Sequence, residues 1–295
     1  MANRRVLLKR SKSVGNIRKI TRTMQLIATA RFQAALNRAQ ATRPYTEKIA
    51  ELVADLSDAA EGIDHPLMRS NDDVKRSAMV IITSKRGLCG GFNANVLRTA
   101  TRHLDEQAKE GIETDVHMVG RKGIGYFKFL NRPMVERITD LDDTPRFDQV
   151  EPIAGGLLSR FAKGEIASAH VAYMRFHSVS QQRPEILQLL PLTHEEGDNE
   201  GEIAPASKIK VEYEFSPAPR ELLDDLLPAA IRVRLFQCFT DATVSEQLAR
   251  MVAMKAATDA ADDMIKTLTQ QYNRARQTAI TMELLDIVGG ANALQ

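Results

Sequence analysis

Residues 244–282, VSEQLARMVAMKAATDAADDMIKTLTQQYNRARQTAITM, carry the pattern that decides the fold. Their core positions alternate steps of three and four: Val244, Gln247, Met251, Met254, Thr258, Ala261, Ile265, Leu268, Tyr272, Ala275, Ala279 and Met282. This is the heptad repeat of a coiled coil. No proline follows Pro228 and no glycine intervenes before Gly289, so we predict one helix from about Ala229 to Val288.

The other end of the chain also has the pattern of a long helix, from about Leu7 to Asp58. We assign its apolar stripe to these residues: Ile17, Ile20, Met24, Ile27, Ala34 and Ala41. Two long helices at opposite ends of one chain pair most simply as an antiparallel coiled coil. Because the C-terminal seam is rich in Ala and Thr, we expect the two helices to approach closely.

The middle of the chain alternates strands and helices, which predicts a Rossmann-like α/β domain with a mostly parallel sheet. Predicted strands lie at 79–83, 116–119, 169–176, 186–190 and 209–215, and a predicted helix lies at 150–162. We expect the last two strands to be antiparallel neighbours joined by a surface loop at 194–208. The predicted boundaries are 1–73 for the N-terminal helix, 74–216 for the α/β domain and 217–295 for the C-terminal helix.

The search for chemistry yields weak signals. The turn at 84–91, SKRGLCGG, fits either a phosphate cradle or a tight strand-to-helix turn, and it lacks the G-x-x-x-x-G-K-[ST] and G-x-G-x-x-G patterns. Cys89 is interpreted as a buried structural thiol rather than a nucleophile. The six histidines are scattered singly. We therefore predict no catalytic residue, no cofactor and no metal site.

Charge is distributed unevenly along the chain. Residues 1–48 hold twelve Lys or Arg and one acid, Glu47, although the net charge of the whole chain is only +2. A basic arm of this kind favours an anionic partner, either a nucleic acid or an acidic protein surface, and a coiled-coil adaptor is a third reading. No run of eighteen apolar residues occurs, so no insertion into a membrane is predicted.

Several blocks, in order along the whole chain, resemble one family. They are 19–28 (KITRTMQLIA), 43–45 (RPY), 86–93 (RGLCGGFN), 120–123 (GRKG), 189–192 (LLPL), 245–259 (SEQLARMVAMKAATD), 272–277 (YNRARQ) and 287–291 (IVGGA). These blocks are similar to those of the gamma subunits of F-type ATP synthases. A match this long and ordered is more specific than any single motif.

The resemblance implies a rotor shaft that couples ion flow through a membrane-embedded c-ring to the conformations of the catalytic beta subunits, and that is not an enzyme by itself. The partners it implies are three alpha and three beta subunits, the epsilon subunit and the c-ring, with no nucleic acid. It also implies a peripheral location on the cytoplasmic face of a bacterial inner membrane. By the same resemblance, the following residues contact the surrounding ring: Arg276, Gln277, Thr281, Arg250, Lys255 and Met24.

Two alternatives and some departures accompany this resemblance. The alternative for Arg250 and Lys255 is a solvated flank of the coil, and the alternative for Met24 is a plain seam position. The family pattern is broken by four residues: Lys85, Leu248, Met282 and Leu285. The close cysteine pair of the chloroplast type is absent, so we predict no thiol switch.

Overall fold

The computed structural model describes residues 4–59, 65–69, 71, 73–192 and 219–293. The helices are α1 (Arg4–Ala59), α2 (Phe92–Lys109), α3 (Arg121–Phe129), α4 (Phe147–Ala162) and α5 (Pro219–Ala293). The strands are β1 (Arg76–Ile82), β2 (Glu113–Val119), β3 (Glu136–Ile138), β4 (Ser168–Phe176) and β5 (Gln182–Leu190). The chain divides into two compact units. One combines Met1–Phe32 with Gln247–Gln295, and the other is Gln33–Glu246.

The first unit, hereafter the coil unit, is an antiparallel pair formed by the outer parts of α1 and α5. The Thr258 hydroxyl donates to the Thr21 hydroxyl oxygen at 2.8 Å, and Arg18 Nε lies 2.6 Å from Asp262 Oδ1. The partner number falls as the number on α1 rises, so the helices run in opposite directions, as predicted. The buried apolar cluster of this unit consists of Leu7, Val14, Ala261 and Leu268.

The face of α1 that is buried differs from the predicted one. Ile17, Ile20 and Ile27 are at least half exposed, and Ala34 and Ala41 are also exposed, so the predicted seam of α1 is wrong. Phe32 is also buried, and five other buried positions lie at intervals of seven: Leu7, Val14, Thr21, Ala28 and Ala35. Three of them, the Thr and the two Ala residues, continue the small-residue character of the seam on α5, which permits close approach of the backbones. Three large apolar side chains that were assigned to the seam, those of Ile17, Ile20 and Ile27, lie on the outside instead.

The C-terminal helix follows the predicted seam closely and starts earlier than predicted. Of the twelve positions, only Met282 is exposed, and all the others are buried or half-buried. The helix begins at Pro219 rather than Ala229 and continues through Pro228, which cannot donate a backbone hydrogen bond. Leu223 and Leu227 are almost fully buried. Their burial offsets the bond that Pro228 removes.

The sheet of the second unit, hereafter the α/β unit, has the order β3-β2-β1-β4-β5. β1 pairs in parallel with β2 and β4, β2 pairs in parallel with β3, and β5 is antiparallel to β4. Ala78, Met79, Val80 and Ile81 are fully buried, as expected for a central strand with side chains covered on both faces. The prediction of a mixed, mostly parallel α/β layer is confirmed.

Local predictions within the α/β unit have mixed outcomes. The helix at 150–162 and the strands at 79–83, 116–119 and 169–176 correspond to α4, β1, β2 and β4, and the strand at 186–190 is the second half of β5. The short edge strand β3 was not predicted. The predicted loop at 194–208 and strand at 209–215 lie outside the described residues.

Helix α5 packs on the sheet within the α/β unit. The Ser245 hydroxyl donates to the backbone oxygen of Met174 on β4 at 3.3 Å. On α4, the ring of Phe147 meets that of Phe236 edge to face, with the centroids 5.6 Å apart. The inner part of α5 is therefore held by β4 and by α4.

Candidate partner-binding surface on the coil unit

The coil unit carries large apolar side chains on its outside. We call Ile17, Ile20, Leu26 and Ile27 the outer stripe of α1, and all four are at least half exposed, Ile20 by 60%. Lys19 is exposed among them. Clustered exposed apolar side chains mark protein contact sites more often than free surface. The arrangement suits a protein partner that offers apolar groups and negative charge.

A second exposed apolar group lies near the end of α5. Its members are Ile280, Met282, Leu284, Leu285, Ile287 and Val288, each at least 47% exposed. The pairing of Thr21 with Thr258 places the start of α1, at Arg4, opposite about residue 275 of α5. Beyond that point the described part of α1 offers no seam partner. This explains why Met282 continues the heptad and is nevertheless exposed.

The six residues predicted to contact the ring lie in different environments. Arg276, Gln277 and Thr281 are exposed on the last part of α5, and the Thr281 hydroxyl donates to the Gln277 backbone oxygen at 3.0 Å. Lys255 is exposed and Met24 is half-buried. Arg250 is only 8% exposed, so the reading of this residue as a solvated flank is wrong.

The turn at 84–91 is held by its own polar groups. The Ser84 backbone N–H donates to Asn93 Oδ1 at 3.0 Å, and the Ser84 hydroxyl donates to the backbone oxygen of Arg86 at 2.6 Å. Asn93 Nδ2 also donates to Cys89 Sγ at 3.2 Å. These bonds fix the turn through its own side chains, which accounts for it as a tight strand-to-helix turn.

Both cysteines are buried free thiols. Burial raises the pKa of Cys238, chiefly because the thiolate would lose its hydration. Cys89 precedes α2, and Cys238 lies in α5. The interpretation of Cys89 as a structural thiol agrees with its 2% exposure.

The most unusual titratable pair in the α/β unit is His103 on α2 with His170 on β4. Their ring centroids are 4.9 Å apart in an edge-on arrangement. Burial lowers the pKa of His170 to about 4, and the neighbouring His103 adds to the shift. Within the described residues, no group of three or more His, Cys, Asp or Glu side chains could hold a metal ion. The described helices also include none that is long and apolar enough to cross a bilayer.

Together these features define a class of protein whose two chain ends form an antiparallel coiled coil and whose middle forms a small mixed α/β domain. The sequence matches the family model described as ATP synthase over residues 3–294. It is 43% identical to the ATP synthase gamma chain of Rhodopirellula baltica and 40% identical to that of Leptospira biflexa, in both cases over the full length of both chains. The chain belongs to the ATP synthase gamma chain family.

Solved structures share the fold. A chain from the Euglena gracilis mitochondrial ATP synthase rotor matches 94% of this chain with 98% of its own length, at a TM-score of 0.62 and 19% identity. A chain from the Tetrahymena thermophila mitochondrial ATP synthase central stalk and c-ring matches 81% of this chain with 99% of its own, at a TM-score of 0.58 and 18% identity. At this level of identity the likeness supports the architecture.

Sequence reasoning missed the outer stripe of α1 because it assigned those isoleucines to the seam. The signal that identifies the true seam is the strict interval of seven between Leu7, Val14, Thr21 and Ala28. A three-and-four pattern of larger residues on a neighbouring face concealed it. The hydrophobicity of a side chain alone does not distinguish a seam from a surface that binds a partner.

Proposed function

We propose that this chain is the central stalk of an ATP synthase and acts as a rotor that couples ion flow to the conformations of catalytic subunits. Its membership of the gamma chain family carries the proposal, and the exposed apolar surface of the coil unit supports it. A shaft that must turn inside a ring of other subunits needs a slender seam and an outer face that contacts them. The small seam residues Thr21, Ala28 and Ala261 meet the first requirement.

The mechanism rests on asymmetry. A single stalk cannot contact three identical beta subunits equally at the same time. Each orientation therefore favours a different conformation in each beta subunit, which is a population shift driven by differential contacts. Rotation driven by the membrane ring changes which subunit is favoured. On this proposal the chain is not catalytic, because its role is to bias conformations in its neighbours.

The contacts with the ring are assigned to two parts of the coil unit. Arg276, Gln277 and Thr281 are proposed to contact loops of the ring, and their exposure on α5 leaves them available. Charge-assisted hydrogen bonds from Arg276 would be stronger than bonds between neutral groups. Lys255 is proposed to face an acidic loop of a beta subunit.

Met24 and Arg250 belong to the same proposal with weaker support. Met24 is half-buried, so it can contact both α5 and a partner. Arg250 is buried, and its contact with a beta subunit requires the guanidinium group to reach out from the coil.

The remaining partners and the location follow from the same proposal. We assign the alpha and beta subunits, three of each, to the coil unit, and the epsilon subunit and the c-ring to the α/β domain of residues 74–216. The complex would lie on the cytoplasmic face of a bacterial inner membrane. On this assignment the basic arm faces an acidic protein sleeve rather than nucleic acid.

Co-expression tests the proposal. The tagged chain is expressed with alpha and beta subunits, purified in 300 mM salt, and assayed for copurifying subunits and for ATP hydrolysis. We expect both subunits to copurify and the complex to hydrolyse ATP, whereas the chain alone should not. Robust hydrolysis by the chain alone, or its failure to retain either subunit, would overturn the proposal. Replacing Ile17, Ile20 and Ile27 by Ser should reduce copurification, and the matched surface variant Val179→Ser in the α/β unit should not.

Nucleic-acid binding is separated by its dependence on salt. If the basic arm tracked phosphates, affinity for DNA or RNA would fall steeply and linearly in log–log form as salt rises. Filter binding between 50 and 300 mM salt measures how the affinity of the chain for DNA or RNA depends on salt. We expect weak binding that does not compete with assembly into the alpha–beta complex.

A further inference from the structure

A short segment between α1 and β1 is tied to the start of α5 in the α/β unit. We call residues 65–69 and 71 the strap. The strap forms no helix or strand, yet His65 is only 7% exposed and Leu67 only 6%. Connecting segments usually run over the surface of a domain, because their backbone polar groups need partners. Two buried side chains in such a segment indicate that specific contacts hold it in place.

The imidazole ring of His65 joins the strap to α5. The backbone N–H of Leu67 donates to His65 Nδ1 at 3.0 Å. Because a ring nitrogen that accepts a hydrogen bond carries no proton, the proton of the neutral ring lies on Nε2. That atom lies 3.1 Å from Asp224 Oδ1 on α5. The backbone of the strap thus selects the tautomer in which His65 donates to Asp224, and we call this contact the clasp.

The strap is itself anchored at two further places in the α/β unit. The Leu67 backbone oxygen accepts a hydrogen bond at 3.0 Å from the N–H of Leu192, just past the end of β5. Asn71 Nδ2 donates to the backbone oxygens of Phe161 at 3.3 Å and Ile166 at 3.2 Å, which flank the turn between α4 and β4. The clasp therefore joins α5 to a segment that is already fixed to the layer of the sheet.

The clasp lies beside a gap in the hydrogen bonding of α5. Pro228 has no backbone N–H, so it cannot donate to the carbonyl oxygen of Asp224, four residues earlier in the helix. The first turns of α5, residues 219–227, are therefore joined to the rest of the helix by one hydrogen bond fewer. They nevertheless bury Leu223 and Leu227 almost completely. The residue that loses its helical donor to Pro228 is thus the residue whose side chain contacts His65.

We propose that the strap controls a local opening of α5: the clasp holds residues 219–227 on the α/β unit, and its release lets these turns detach together, with Pro228 as the hinge. Proteins open locally in cooperative segments, and helices bend most readily at proline. In the closed state Leu223 and Leu227 are buried, and in the open state they are exposed to solvent. This inference concerns the chain itself and does not depend on the complex in which it works.

Hydrogen exchange of the full-length chain at one neutral pH tests this proposal. The amides compared are those of 223–227 in α5 and those of 78–81 in β1, where the side chains are fully buried. Asp224→Ala removes the acceptor of the clasp from a side chain that is 61% exposed, so the chain should still fold. We expect this variant to speed exchange at 223–227 by about three- to tenfold, the effect of one ordinary hydrogen bond, and to leave β1 unchanged.

Two matched variants separate the clasp from the other effects of the substitution. Asp225→Ala removes the same type of side chain from the neighbouring exposed position, so it changes helix propensity and terminal charge alike. It should leave exchange at 223–227 within about twofold of the parent. Asp224→Asn retains a side-chain oxygen that accepts from neutral His65, so it should keep most of the protection. Equal effects of Asp224→Ala and Asp225→Ala, or exchange in Asp224→Asn as fast as in Asp224→Ala, would overturn the proposal.

The hinge is tested by restoring the missing hydrogen bond. Pro228→Ala supplies a backbone N–H four residues after Asp224, so exchange at 223–227 should slow by about threefold or more. Unchanged or faster exchange in this variant would show that Pro228 is not the hinge. An acceleration by Asp224→Ala that is equally large in β1 would show a general loss of stability instead of a local opening, and would also contradict the proposal.

Discussion

The coil unit and the α/β unit differ in which apolar side chains they bury. In the α/β unit, the strand β1 hides Met79, Val80 and Ile81 completely. In the coil unit, small residues such as Ala28 and Thr258 fill the seam, while Ile20 and Ile27 remain at least half exposed. The α/β unit therefore encloses a core of large side chains, whereas the coil unit leaves several large apolar side chains outside its seam. The difference teaches that the coil unit divides its apolar residues between a narrow buried seam and an outer face that is open to a partner.

The largest effect on stability is expected for a substitution at Gly120, whose backbone lies close to the carbonyl group of Thr83. Gly120 has a φ of +91°, and a Cβ atom there would overlap the carbonyl group of Thr83. Since the obstacle is backbone, Gly120→Ala should lower the free energy of unfolding by about 4 kcal/mol or more. Urea denaturation measures the change.

Gly125 provides the matched control for this substitution. It lies in α3, and a Cβ atom there would meet nothing within 4 Å. Gly125→Ala should stabilise the chain by about 0.5–1 kcal/mol, because alanine has the higher helix propensity. Equal effects at the two glycines would show that the α/β unit is less closely packed than described.

Within the coil unit, substitutions in the seam should lower stability much more than substitutions in the outer stripe of α1. Leu268→Ala should cost about 2–3 kcal/mol because Leu268 belongs to the buried cluster. Ile20→Ala should change stability by less than about 0.5 kcal/mol, since the side chain is 60% exposed. Thermal unfolding followed by circular dichroism gives both values. A large loss of stability for Ile20→Ala in the isolated chain would show that Ile20 belongs to the buried seam.

Acid should weaken the α/β unit through His170. The pKa of this histidine falls from 6.5 to about 4 on folding, so the unfolded state binds its proton first. Stability from this group is complete above about pH 6.5 and is lost as the pH falls towards 4. Between pH 7.5 and 4.5, we expect the free energy of unfolding of His170→Gln to fall by about 1–3 kcal/mol less than that of the parent. Urea denaturation midpoints between pH 4.5 and 7.5 measure this difference. The control is His177→Gln at an exposed site, which should leave the dependence of stability on pH almost unchanged.

The smallest effect on stability is expected at the end of α5. Arg276 is exposed, so Arg276→Ala should leave the free energy of unfolding within about 0.5 kcal/mol of the parent. In the assembled complex it should lower ATP synthesis relative to hydrolysis, because a contact between shaft and ring is lost. Lys266→Ala, also exposed on α5, is the control. Unchanged assembly and synthesis in the Arg276 variant would refute the contact assignment.

Much of the architecture was predictable because it depends on periodicity. The heptad from Val244 to Ala279 predicted the buried face of α5, and the apolar runs ending before Gly87 and Gly120 predicted β1 and β2. The seam of α1 was not predictable by size, because its members are small and the larger isoleucines lie outside. The start of α5 was missed because burial of Leu223 and Leu227 outweighs the local cost of Pro228.

The candidate surface was only partly predictable. Family resemblance led to Arg276, Gln277 and Thr281, and their exposure could be expected from positions off the heptad seam. The burial of Arg250 could not be expected from the sequence, because its environment depends on how the helices pack.

Direct observation of rotation tests the central claim. Cys89 and Cys238 are each only 2% exposed, so Lys109→Cys, at an exposed site on α2, provides one accessible thiol for a visible probe. The labelled chain is assembled with alpha and beta subunits, and the ring is fixed to a surface through the beta subunits. The account predicts that the probe turns continuously in one direction when ATP is added. A probe that stays fixed while the same complexes hydrolyse ATP at an undiminished rate would contradict it.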